Sequence, residues 1–100
     1  MNNREEILKT LKQSCEFLSS EFSVKKIAVF GSVARDEITP DSDVDIVVEF
    51  STPIGFRFNR LVEYLENLLG HKVDVLTKDG IRNIRVQKVA ENIERDLIYV

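Results

Sequence analysis

The chain has 100 residues, of which 43% are hydrophobic and 31% are charged, as expected for one small globular domain. A formal net charge of −3 provides no overall basic field, so we expect no direct contact with nucleic acid. The single cysteine, Cys15, excludes an internal disulfide and is interpreted as a small buried residue. The length predicts a single domain over residues 1–100. Because there is no apolar run of membrane length and no signal peptide, we expect the protein in the cytoplasm and away from membranes.

The first half of the chain alternates helical and extended patterns. Apolar residues at helical spacing predict one amphipathic helix from Asn3 to about Phe22. The run Val24–Phe30 predicts a strand, which Gly31-Ser32 closes, and the letters VARDEI that follow predict a short helical turn. A turn over residues 40–42 then leads into a second predicted strand, Asp43–Phe50.

The second half continues the alternation. Phe56–Leu69 predicts a helix that Gly70 ends, and Lys72–Leu76 predicts a third strand. A last helix is predicted over Ile81–Asp96, and the apolar tail LIYV is expected to pack down or join the sheet edge. This order predicts an α/β (α+β) fold with helices flanking a small sheet. The relative direction of the first two strands cannot be read from the pattern.

A Gly-Ser turn lies between the first predicted strand and the turn of helix. Gly31 permits a close backbone approach, Ser32 offers a hydroxyl, and the first amides of the helix are available to an anion. Such a turn suits a phosphate group, although Gly-Ser after a strand is by itself more often a plain turn.

Three aspartates alternate with apolar neighbours on the second and third predicted strands. Asp43 and Asp45 flank Val44, so their side chains fall on one face of an extended backbone, and Asp74 repeats the alternation in the sequence KVDVL. Carboxylates clustered on core strands would repel one another without a counter-charge. Oxygen ligands without a nearby His or Cys favour Mg²⁺ or Mn²⁺ over Zn²⁺. The combination with a phosphate-binding turn indicates nucleotide chemistry.

The run GSVARDEITPDSDVDI resembles the signature of the polymerase-β-like nucleotidyltransferase superfamily: Gly-Ser, a spacer of about ten residues, Asp-x-Asp, then a later Asp. In element order the whole chain resembles the minimal nucleotidyltransferase (MNT) domains. These are the MntA-type antitoxins encoded beside HEPN ribonuclease toxins, and the resemblance implies their fold, a small mixed sheet flanked by helices. One departure is Asp36, which follows Arg35 where these proteins commonly have Gly.

The resemblance also implies roles for individual residues. Gly31 and Ser32 would hold the β- and γ-phosphates of ATP. Asp43 and Asp45 would bind the Mg²⁺ ions, two in number, with Mn²⁺ as a substitute. Asp74 would complete the metal site and help deprotonate the attacking hydroxyl, so that all three aspartates are both catalytic and metal-binding. The reaction would be in-line attack on the α-phosphate, with pyrophosphate leaving.

Residues around this motif have structural and functional interpretations that the sequence leaves open. Arg35 either reaches a nucleotide phosphate or pairs with an acid such as Asp41 or Asp43 to fix the loop. Ser42 is interpreted as a brace for the turn that presents Asp43. His71, beside the helix end, is expected to meet free carbonyl groups. An apolar stripe is interpreted as core rather than as a base-stacking platform: Phe56, Phe58, Leu61 and Leu65.

Two functions compete at this stage. In the first, the chain is a Mg²⁺-dependent adenylyltransferase that transfers AMP from ATP to a hydroxyl, such as that of Tyr, of a partner HEPN toxin, and so acts as an antitoxin. A domain of this size is expected to receive its acceptor from a separate chain. In the second, the chain neutralises the toxin by binding and masking it, and its nucleotide pocket is vestigial. The three aspartates favour catalysis, because a steric inhibitor has no use for clustered carboxylates.

Overall fold

The structure, a computed structural model, describes residues 3–78 and 97–100 of the chain. The helices of these residues are α1 (Arg4–Gln13), α2 (Cys15–Phe22), α3 (Gly31–Ala34) and α4 (Arg57–Leu69). The strands are β1 (Val24–Phe30), β2 (Val44–Phe50), β3 (Val73–Thr77) and β4 (Ile98–Tyr99). The predicted helix Ile81–Asp96 and the turn before it lie outside the described residues. Within the described ranges, no helix is long and apolar enough to cross a membrane.

The strands form a mixed sheet in the order β3-β2-β1-β4. β1 is antiparallel to both β2 and β4, whereas β2 and β3 run parallel. The α/β prediction is therefore confirmed, as is the expectation that the carboxyl-terminal tail joins the sheet edge. The parallel pair is joined by a crossover that contains α4, as parallel neighbours require.

The described helices pack against one face of this sheet. Val44, Ile46 and Val48 of β2 are fully buried there, as their alternation predicted. The helices contribute further fully buried side chains: Ile7, Leu11, Leu18, Leu61 and Leu65. Burial of each such side chain stabilises the fold by roughly 1.5–3 kcal/mol. The alternation along β2 points the Asp45 side chain to the face opposite Val44, Ile46 and Val48.

The amino-terminal helical region is divided in two, so the prediction of one continuous helix over Asn3–Phe22 is wrong. Ser14 separates α1 from α2, and its N–H donates to the carbonyls of Leu11 and Lys12. This tightened turn ends α1 and redirects the chain. Cys15 follows the turn and is partly rather than fully buried against the core.

Two further expectations need correction. The helical turn after β1 begins at Gly31 rather than at Val33, because the Arg35 N–H donates to the Gly31 carbonyl and closes the turn early. Phe56 does not belong to the core stripe of α4: it immediately precedes the helix and is 99% exposed, whereas Leu61 and Leu65 are buried as expected.

Candidate active site

The Gly-Ser turn and two of the aspartates meet at one end of the sheet. Asp45 lies on β2 directly between Phe30 on β1 and Asp74 on β3. Neighbouring strands are about 4.7–4.9 Å apart, so the backbones of these residues are close. Gly31 follows Phe30 at once, and Asp43 immediately precedes β2. The sheet register therefore brings both parts of the predicted site together.

Gly31 is in direct contact with Asp45. Its φ of +65° lies in the left-handed region, which a residue with a side chain enters at a cost. A Cβ atom at this position would also collide with Oδ2 of Asp45. Two independent constraints, backbone conformation and space, thus favour glycine here, because any larger residue would be strained and would displace the Asp45 carboxylate.

Ser32 and the amides after it form the predicted phosphate-binding turn. Ser32 is half-buried in α3, and its carbonyl accepts a hydrogen bond from the Glu37 N–H at 2.8 Å. Its hydroxyl has no hydrogen-bond partner among the described residues. The hydroxyl is therefore available to a ligand at this turn.

The aspartates differ in their surroundings. Asp43 and Asp74 are exposed and Asp45 is half-buried, so the expectation of three carboxylates among core residues holds only for Asp45. Burial raises the pKa of Asp45, and the negative charges of Asp74 and Asp43 raise it further. The Arg35 guanidinium acts in the opposite direction on the same pKa. The site is thus a concentration of negative charge around Asp45.

Arg35 pairs with an acid of its own loop, which agrees with the structural interpretation of this residue. Its Nε donates to Glu37 Oε2 at 3.2 Å, and both side chains remain at least half exposed. The acid in this ion pair is Glu37, two residues further along the same loop. An exposed ion pair of this kind holds its partners weakly, so Arg35 can also turn toward a bound anion.

The loop before Asp43 is braced as predicted. The Ser42 hydroxyl accepts a hydrogen bond from the Thr39 N–H at 2.9 Å, and the Ser42 N–H donates to the Thr39 carbonyl at 3.0 Å. His71 meets a carbonyl, as expected: the Ser42 carbonyl lies 3.1 Å from its Nδ1.

The departure at Asp36 has a structural explanation. Asp36 has a φ of +57°, a conformation that glycine adopts without strain and that aspartate tolerates better than most residues. Its carboxylate accepts a hydrogen bond from the Arg4 N–H at 3.1 Å, and Arg4 Nη1 donates to the Ala34 carbonyl at 3.0 Å. The start of α1 therefore supports the loop after the Gly-Ser turn. No pattern of neighbouring residues indicates this contact, because it joins residues far apart in the chain.

The carboxylates do not form a ready-made metal site. Within residues 3–78 and 97–100, no group of three or more His, Cys, Asp or Glu side chains is arranged to hold an ion. The chemistry of Asp43, Asp45 and Asp74 nevertheless suits a hard divalent cation, which prefers carboxylate oxygen. Such a cation would also offset the mutual repulsion that raises the pKa of Asp45. Metal binding by these three residues stays a prediction.

Comparisons with known proteins agree with this geometry. Residues 8–100 match the family model described as a nucleotidyltransferase domain. A "putative protein adenylyltransferase" of Methanocaldococcus jannaschii is 46% identical, with all of both chains covered. "Protein adenylyltransferase MntA" of Thermococcus cleftensis is 40% identical, over 96% of this chain and 94% of that protein. A solved "putative minimal nucleotidyltransferase" superposes with a TM-score of 0.73 at 31% identity, covering 96% of this chain and 94% of the other.

The chain therefore belongs to the nucleotidyltransferase domain family, and within it to the minimal nucleotidyltransferases. The predicted fold class and the prediction of an enzyme of nucleotidyl transfer are confirmed. The individual roles of Gly31, Ser32 and Arg35 toward a nucleotide stay predictions, as do those of the aspartates.

Proposed function

We propose that this protein transfers AMP from ATP to a hydroxyl side chain of a partner protein, and that the partner is a HEPN-family ribonuclease toxin, which the transfer inactivates. Tyrosine is the acceptor we favour. The single observation that supports the proposal is the contact of Gly31 with Asp45, at which the Gly-Ser turn meets the carboxylates. The relatives named as protein adenylyltransferases support the protein acceptor.

In this reaction the chain's own residues bind and orient the substrates. The Gly31–Ser32 turn receives the β- and γ-phosphates, with the Ser32 hydroxyl as a hydrogen-bond donor. Asp43 and Asp45 would hold Mg²⁺, with Asp74 completing the site. When bound, Mg²⁺ neutralises phosphate charge and orients the triphosphate for in-line displacement.

Asp74 has a second role, in proton transfer. It accepts the proton of the attacking hydroxyl, whose oxygen forms the new bond to the α-phosphorus. The bond from that phosphorus to the bridging oxygen breaks, and pyrophosphate leaves with the electron pair. Asp74 suits this role because it is exposed at the sheet edge beside Asp45, where a side chain of a second protein can reach it. We place this activity in the cytoplasm, where ATP is available.

Intact mass spectrometry tests the proposal. The HEPN-family protein encoded by the adjacent gene is incubated with this chain, ATP and Mg²⁺, and we expect it to gain one or more AMP masses. The variant carrying Asp43→Asn and Asp45→Asn should give no gain. The matched control is Asp41→Asn, which removes an exposed acid of the same loop that the site does not use. Equal modification by the double variant and the wild type would contradict the proposal.

A second function is favoured by one observation, namely that no group of described side chains is arranged to hold an ion. In this alternative the chain neutralises its partner by binding and masking it, without catalysis. The double aspartate variant separates the two functions. If it binds the partner and still neutralises it, masking is supported; if it binds but no longer neutralises, transfer is supported.

A further inference from the structure

The backbone around Asp43 is held on both sides by the segment that leads into β3. Before Asp43, the Ser42 carbonyl contacts His71 Nδ1 at 3.1 Å. After it, the Val44 N–H donates to the Lys72 carbonyl at 2.8 Å. Two neighbouring residues, His71 and Lys72, thus fix the two peptide groups that flank Asp43, while its own carboxylate stays exposed.

The direction of the His71 hydrogen bond follows from its partner. A carbonyl oxygen can only accept, so Nδ1 must carry the proton in this contact. The bond is partly buried and joins residues 29 positions apart. The hydroxyl and N–H of Ser42 bond within the loop, to Thr39. The His71 contact is therefore the bond from Ser42 that ties this loop to the rest of the sheet.

The other end of this connection is also fixed. The Val73 N–H, at the start of β3, donates to Glu66 Oε2 on α4 at 3.2 Å. Asp74 is the next residue and lies beside Asp45 in the parallel pair. The position of Asp43 relative to Asp74 therefore depends on the segment from His71 to Val73. Its first residues bond to the peptide groups beside Asp43, and its last is bonded to Glu66 of α4.

We infer that His71 is a positioning residue, whose bond to the Ser42 carbonyl holds Asp43 at the correct distance from Asp45 and Asp74 for these carboxylates to bind a divalent cation. The inference rests on the proposed function. His71 itself touches neither substrate nor cation. Removal of a residue that orients a metal ligand typically lowers metal affinity about 10–100-fold.

Two substitutions of similar polarity test the bond itself. The side-chain amide nitrogen of Asn lies near the position of histidine Nδ1, whereas that of Gln lies near Nε2. His71→Asn should therefore keep the contact and bind Mn²⁺ with nearly wild-type affinity. His71→Gln and His71→Ala should bind Mn²⁺ about 10-fold more weakly or worse. Electron paramagnetic resonance of free Mn²⁺, titrated without nucleotide, measures these affinities independently of catalysis.

The matched control is Arg57→Ala. It also removes a hydrogen bond from a side chain to a distant carbonyl, from Arg57 Nη1 to Glu21 at 2.9 Å, but away from the carboxylates. We expect wild-type Mn²⁺ affinity from this variant. Hydrogen exchange of the peptide over residues 39–45 supplies a second measurement, which should be faster in His71→Gln than in His71→Asn. The comparison of His71→Gln with His71→Asn still tests the inference if His71→Ala fails to fold.

The outcomes separate the inference from the proposed function. If the wild type binds Mn²⁺ and transfers AMP, but His71→Gln and His71→Asn have equal affinities, the positioning role of His71 is refuted and the proposed function stands. If the wild type neither binds Mn²⁺ nor transfers AMP, the proposed function fails, and the inference fails with it. Weaker binding in His71→Gln with recovery in His71→Asn supports the positioning role, and AMP transfer by the wild type supports the proposed function.

Discussion

Gly31 and Gly55 have the same backbone conformation for different reasons. Gly31 begins α3, Gly55 lies two residues before α4, and both have left-handed φ values, +65° and +55°. A Cβ atom on Gly55 would meet no atom within 4 Å, whereas one on Gly31 would collide with the Asp45 carboxylate. At Gly55, glycine is therefore favoured only by the left-handed backbone conformation of the turn. Gly31 serves both the turn and the close approach of two strands, so its missing side chain is part of the site.

The largest expected effect comes from Gly31→Ala. The new methyl group must displace Asp45, and a shift of about 1 Å in a catalytic arrangement can cost a hundredfold in rate. We expect AMP transfer, followed by intact mass spectrometry, to fall by about this factor or more. Circular dichroism must show that the variant is folded. A folded Gly31→Ala protein with wild-type activity would show that the contact with Asp45 is not needed.

Gly55→Ala is the matched substitution and should affect stability alone. A residue with a side chain pays roughly 1–2 kcal/mol to enter the left-handed region, and no collision is added here. We expect urea denaturation to show a loss of this size, with unchanged AMP transfer by the folded protein. Gly55→Asn should lose less, since asparagine tolerates this conformation. Loss of AMP transfer in a folded Gly55→Ala protein would contradict the conclusion that Gly55 affects stability alone.

Asp45→Asn changes the second member of the contact between Gly31 and Asp45. Because burial and the charges of Asp74 and Asp43 raise the pKa of Asp45, the folded chain binds this proton more tightly than the unfolded chain. Stability should therefore fall as pH rises through the folded pKa, and the penalty persists at neutral pH. Removal of the charge should stabilise the cation-free protein at neutral pH by about 1 kcal/mol or less, because exposed neighbouring charges are screened.

Thermal denaturation measures this effect, since about 1 kcal/mol corresponds to a shift of about 4–8 °C in Tm for a domain of this size. The difference between Asp45→Asn and the wild type should vanish below the ordinary pKa of 3.8, where both chains carry no charge at this position. Added Mg²⁺ should raise the Tm of the wild type at neutral pH and leave that of Asp45→Asn nearly unchanged. A variant less stable than the wild type at neutral pH would contradict the assigned repulsion.

The smallest effect is expected for Asp36→Gly, at a left-handed position that does carry a side chain. Glycine would relieve about 1 kcal/mol of backbone strain. The substitution also removes the hydrogen bond from the Arg4 N–H, which is worth about 1 kcal/mol. We expect the two to cancel to within about 0.5 kcal/mol in urea denaturation. A much larger loss would show that the contact with α1 matters more than the strain.

Local signals in the sequence predicted the strand end and the alternation on which the candidate site is built. The end of β1 at Phe30 and the alternation of Asp45 with Val44 and Ile46 depend on neighbouring residues, and the structure confirms both. The contact of Gly31 with Asp45 could not be predicted, because it depends on the antiparallel pairing of β1 with β2. Strand direction is set by the whole sheet and leaves no mark on the residues of one strand.

Each difference between the sequence predictions and the structure has its own physical cause. The division at Ser14 arises from a single tightened turn inside a stretch whose apolar spacing continues through it. The exposure of Phe56 depends on where α4 begins, and helix boundaries are weakly marked when no capping side chain is present. The contacts of Arg4 with Asp36, and of His71 with Ser42, join distant segments, so spacing along the chain carried no information about them.

The bond between Arg4 and Asp36 has a practical consequence for protein engineering. The backbone amide of Arg4 is occupied by the Asp36 carboxylate, so any purification tag fused ahead of Asn3 enters the fold beside the loop that follows Ser32. A bulky tag there would crowd the Asp36 carboxylate and weaken its hydrogen bond with the Arg4 N–H. A tag after Val100, beside the short edge strand β4, avoids this interference, since that strand pairs with Ala28 and Val29 rather than with the turn.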